Sequence, residues 1–195
     1  MLYFCEIRYY FLKRLLLKYR AVIRFVLLFI GTYLVLSFLY SFYLNVAAGT
    51  SYHPDFITHL VAKQSTSIIS SLGYDAKIVP HETEALMELY INKRYLGRII
   101  EGCNAVSIII LFIAFIVAFA KNFKKTILFI LAGSVLIYGA NIIRIAVLSI
   151  ALHLYPQYEK ILHGVVFPAL IYGMVFLLWM LWVRGLTYKT DKEDA

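Results

Sequence analysis

The chain has 195 residues, 62% of them hydrophobic, with a net charge of +8. Soluble domains are nearer half apolar, so this composition, with a mean hydropathy of +0.79, excludes an ordinary soluble enzyme. It points to an all-α polytopic membrane protein, residues 1–195 forming a single integral membrane domain.

The basic residues cluster beside the apolar runs, which argues for a lipid bilayer as their partner and against nucleic acid. Residues 1–20 mix aromatics with Arg8, Lys13, Arg14, Lys18 and Arg20. Such a segment either lies on the membrane surface or is a plain basic flank, with Cys5 an inert thiol. Two cysteines are too few for a disulfide framework. The first apolar run, 22–44, has no small-residue cleavage site after it and reads as a signal anchor. At ~1.5 Å per residue it can cross ~30 Å of hydrocarbon.

Next comes a long loop, 45–102. Within it, Ile57, Leu60, Val61, Ile68 and Leu72 recur near helical spacing, with Pro54 suited to the first turn and Gly73 to the stop. This predicts an amphipathic helix on the outer leaflet or on the bundle. Residues 86–100 alternate in part, with turn residues at Asn92-Lys93, and predict a β-hairpin. Helix and hairpin together form a cap over the spans.

Three more spans are expected, at 103–120, 127–152 and 163–183, with Trp179 and Trp182 at an interface. Four spans put the N-terminal basic residues, Lys121, Lys124, Lys125, Arg184, Lys189 and Lys192 on one side. The positive-inside rule makes that side cytoplasmic. Both termini are then cytoplasmic, in the cytoplasmic (inner) membrane, and the cap faces the periplasm.

Three reactive residues meet at one depth. Cys103 follows Glu101-Gly102 at the mouth of the second span, Arg144 lies inside the third, and His163 opens the fourth. Counted from the cytoplasmic ends of their spans, they lie at ~26, ~26 and ~30 Å. Each has a bland reading: a small buried hydrophobe for Cys103, snorkelling for Arg144, an interfacial side chain for His163. Their coincidence favours a site. A thiol attacks as the thiolate, which a helix N-terminus and a nearby cation favour. His163 is the natural proton carrier, and Arg144 can hold an oxyanion. Asn141, one turn from Arg144, either supports the guanidinium or binds substrate backbone. Glu101 pairs with Arg144, orients His163, or is an ordinary loop carboxylate. A metal site from His53, His59, His81, His163 and Cys103 is disfavoured, because no pair has a ligand-motif spacing.

Cys103 after a polar loop, Asn141-x-x-Arg144 in the next span and His163 at a later one resemble the exosortases and archaeosortases. The short length is most similar to the F-type exosortases. The specific motifs run from Glu101 to Gly164; elsewhere only topology matches. The resemblance implies a membrane cysteine transpeptidase, needing no cofactor, with a triad of Cys103, Arg144 and His163. It implies exported substrates with a C-terminal motif, one transmembrane helix and a basic tail, and a link to envelope and surface polysaccharide assembly. One departure stands out: the longer exosortases have about twice as many spans. What those helices contribute is absent here or supplied by a membrane partner or oligomer, so the substrate motif does not carry over. The alternative is a non-catalytic scaffold of envelope or polysaccharide export machinery, in which Arg144 is only a structural pairing residue.

Overall fold

The computed structural model describes residues 18–47, 54–120 and 122–193, with side chains as far as 185. The basic segment 1–17, with Cys5, lies outside the described residues. In chain order the elements are α1 (Arg20–Ala47), α2 (Phe56–Ser71), β1 (Ala76–Pro80), β2 (Met87–Ile91), β3 (Arg94–Ile99), α3 (Val106–Ala118), α4 (Phe123–Leu154) and α5 (Phe167–Glu193).

Three stretches are long and apolar enough to cross a membrane: α1, α4 and the helical run Pro156–Gly185 that leads into α5. The chain is thus a polytopic helical membrane protein carrying a small sheet. The second expected span is shorter than 103–120. α3 has 13 residues, or about 20 Å at ~1.5 Å per residue, against ~30 Å of hydrocarbon.

The expected amphipathic helix is α2. Asp55 caps it, its Oδ1 accepting from the N–H groups of Ile57 and Thr58 at 3.0 Å each. Pro54 therefore stands one residue before the cap and not in the first turn. Gly73, at φ 92°, ends the helix. Its N–H bonds Ser70 O at 3.0 Å and that of Tyr74 bonds Ile69 O at 3.4 Å, the paired bonds of a Schellman stop. Thr58, Val61, Ala62, Ser65 and Ile69 are buried, one stripe at helical spacing. That stripe packs on the sheet and on Ile145 and Ala146 of α4, so α2 rests on the bundle.

The hairpin forms as predicted: Asn92 (φ 51°) and Lys93 (φ 65°) make a two-residue turn with both residues left-handed. Met87, Leu89 and Ile91 of β2 are buried in alternation with half-buried neighbours. β1 adds a third antiparallel strand, giving the order β1-β2-β3. Its Lys77 and Pro80 hide any apolar alternation in the sequence. The third strand matters because a lone hairpin is marginal in water. The cap is fastened to α4 at two levels. Tyr138 Oη donates to Gln64 Oε1 at 2.7 Å, and Asn92 Nδ2 lies 3.4 Å from His153 Nε2.

A second core joins α3, α4 and α5 through Phe112, Ile116, Ile137, Val175, Leu178 and Trp182. Phe112 is fully buried and its ring lies where a Cβ on Gly133 would stand, so only glycine admits this approach. Trp179 stacks on Phe115 at 4.4 Å and Trp182 packs on Phe129 at 4.9 Å. Both indoles therefore serve the helix packing. α1 lies along α3, with Phe25 against Phe119 at 4.6 Å. Most of its large apolar side chains, such as Leu27, Leu34 and Phe38, stay exposed, as suits a lipid-facing surface.

Candidate active site

Cys103 ends a single 3-10 turn, Glu101–Cys103, ahead of α3 and outside its first turn. Two side chains explain the break. Asn104, 1% exposed, accepts from Val106 N–H at 2.9 Å. Its Nδ2 donates to Tyr40 Oη at 2.7 Å and to Thr58 Oγ1 at 3.0 Å. One buried carboxamide thus joins α1, α2 and the start of α3. Ala105, at φ 65°, then turns the chain into α3. On the other side, Asn141 Nδ2 donates to the carbonyl of Cys103 at 2.7 Å. Asn141 therefore holds the backbone of Cys103 through its side-chain amide.

Arg144 lies three residues on from Asn141 in α4. Its side chain is half-buried, and its Nε is buried without a hydrogen-bond partner. His163 is exposed and sits in a π-helical stretch, Leu162–Val166. It does not open the last span. Helical structure already begins at Pro156, through a 3-10 turn (Pro156–Tyr158) and one α turn (Glu159–Ile161). Polar Gln157, Glu159 and Lys160 mask that start in a reading by hydropathy. Short π-helical turns within helices frequently mark functional positions.

Cys103, Arg144 and His163 line one cavity of about 420 Å³. Ile145, Leu148 and Leu152 of α4 and residues of β3 also line it. The cavity therefore offers a thiol, a fixed cation and an imidazole from three segments. Glu159 lines it as well. Sequence reasoning missed this carboxylate, although it stands four positions before His163, the spacing that puts two side chains on one helical face. Glu101 is exposed and does not line the cavity. Among the described residues, no three His, Cys, Asp or Glu side chains are grouped to hold a metal ion.

A second, almost wholly apolar groove of about 360 Å³ lies between Ala140, Ile143 and Val147 of α4 and Leu170, Ile171 and Met174 of α5. Arg144 lines both spaces, so its side chain is shared by the cavity of Cys103 and the apolar trough.

A family model described as transmembrane exosortase matches residues 14–184. No curated protein and no solved structure matches the chain.

Proposed function

The chain belongs to the transmembrane exosortase family, and from that premise we propose that it is a membrane-embedded cysteine transpeptidase. It processes C-terminal sorting signals of exported proteins at the outer face of the cytoplasmic membrane. The observation that carries this reading is the convergence of Cys103, Arg144 and His163 on one cavity from three separate segments.

The thiolate of Cys103 attacks the scissile carbonyl carbon and the carbonyl oxygen becomes an oxyanion. The Arg144 guanidinium, with donors to spare, stabilises that charge in a site walled by apolar side chains. His163, protonated at this stage, gives its proton to the departing amine nitrogen as the C–N bond breaks, leaving a thioester on Cys103. An incoming amine or water then attacks the thioester. His163 takes the proton of that nucleophile, and the thiolate leaves. The hydrogen bond from Asn141 to the Cys103 carbonyl fixes the nucleophile's backbone throughout.

In this reading α3, short as it is, serves as the fourth crossing, the basic flanks at both ends favour the cytoplasmic side, and the cap and cavity face the periplasm. The apolar groove beside Arg144 suits the transmembrane helix of a substrate whose cleavage motif is presented to the cavity above it. Surface or envelope proteins with a motif, a transmembrane helix and a basic tail are the expected partners.

Mass spectrometry of exported-protein C-termini tests this reading. Cells with the wild-type gene should carry a set of proteins shortened at a common motif, and Cys103→Ser cells should retain the full tails. Identical C-termini in both would support a scaffold and overturn the enzyme.

A further inference from the structure

β3 is the last strand of the sheet, paired with β2 on one side. No described strand pairs with its other side. Six consecutive residues, Tyr95 to Ile100, line the cavity that holds Cys103. A strand that offers one face to a cavity contributes every second residue. An unbroken run is the pattern of a strand that offers its edge, with the row of main-chain N–H and C=O groups that an edge carries. The strand also leads directly to the nucleophile: Ile100 O accepts from Cys103 N–H at 2.8 Å.

Gly97 lies in the interior of this strand. Glycine weakens a strand and is found where a ligand or a second backbone comes close. A Cβ placed on Gly97 would meet nothing within 4 Å, although Gly97 is part-buried and lines the cavity. Leu89, its partner on β2, lines the cavity too. The free space beside the strand therefore opens onto the thiol's cavity.

We propose that the free edge of β3 takes an extended stretch of the substrate polypeptide as a fourth strand. This stretch pairs main chain to main chain, passes over Gly97 and delivers its scissile carbonyl to Cys103. The proposal rests on the transpeptidase reading above. A polypeptide is the occupant that matches the wall: a sheet edge is satisfied by peptide groups, and acyl chains offer none. Strand addition draws affinity from the main chain and specificity from alternate side chains. Here those side chains would meet Ile145, Leu148 and Leu152, which line the same cavity.

The test uses the full-length protein in lipid nanodiscs and a synthetic peptide spanning the junction read from the shortened C-termini. The peptide is N-methylated at one backbone position at a time upstream of the cut. N-methylation at every second position should raise KM about tenfold, the scale of one main-chain hydrogen bond. The positions between should be nearly unaffected. Cleavage with uniform sensitivity, or none, would overturn strand addition and leave the transpeptidase standing. No cleavage of the unmodified peptide would overturn both. On the protein side, Gly97→Val should unfold at the wild-type temperature and raise KM about tenfold with kcat little changed. An unchanged KM in a folded variant would overturn the proposal. So would inhibition by short-chain phospholipid without the alternation, which would make the edge a lipid site, or a change of oligomeric state in Gly97→Val, which would make it a contact between copies.

Discussion

The side-chain amide of Asn141 reaches across 38 positions of sequence to donate a 2.7 Å hydrogen bond to the backbone carbonyl of Cys103. The bond ties a turn outside the helices to the middle of the longest one. Asn141 is 1% exposed, so its removal leaves the carbonyl of Cys103 without its buried donor. Asn141→Leu should cost about 1–3 kcal/mol of stability and slow processing beyond what that loss explains. Thermal unfolding in detergent, alongside peptide cleavage, checks both parts.

Asn104 does for the start of α3 what Asn141 does for Cys103. Three hydrogen bonds, to Tyr40, Thr58 and Val106, meet in one fully buried carboxamide. Asn104→Ala should destabilise the fold by about 1–3 kcal/mol. It should also loosen the 3-10 turn, which faster alkylation of Cys103 by a small maleimide would report. Wild-type stability and alkylation rate together would show that the network does not position the turn.

Gly133 offers a test of the packing beneath the site. A methyl group there would fall on the ring of Phe112, and such overpacking costs about 1–3 kcal/mol. Gly133→Ala should therefore lower the unfolding temperature. Adding Phe112→Leu should recover part of the loss, because the shorter side chain frees the space. Additive losses in the double variant would contradict the close approach.

Arg144 is expected to act through its planar fork of donors, not through charge alone. Lysine keeps the charge but offers a compact ammonium of different reach. Arg144→Lys should reduce kcat about 10²–10³-fold, the usual effect of losing one oxyanion donor. Wild-type turnover in that variant would reduce the role of Arg144 to simple charge.

Cys103, Arg144 and His163, which line one cavity, were legible because polar groups in apolar surroundings stand out. An arginine inside a span costs too much to be casual, and Cys103 and His163 flank the runs on either side. α2 and the hairpin were legible from local chemistry: a period near 3.6, a glycine stop and two turn residues. What stayed hidden depends on contacts distant in sequence. Asn141 looked like a neighbour of Arg144 by helical spacing, yet its side chain points to a turn from another part of the chain. Glu159 looked like loop because helical structure starts in polar residues before hydropathy rises. The packing of Trp179 on Phe115 and of Trp182 on Phe129 joins residues far apart in sequence, so composition could not show it. β3 as the wall of the cavity follows from the docking of the sheet on α4, which no local pattern encodes.

The central claim is that Cys103 carries the substrate as a thioester. Intact-protein mass spectrometry of the purified protein after mixing with its junction peptide reads this directly. The account predicts an added mass, equal to the peptide's acyl half, that maps to Cys103 and is released by neutral hydroxylamine. No such adduct should form on Cys103→Ala. Cleavage of the peptide by Cys103→Ala at the wild-type rate would contradict it.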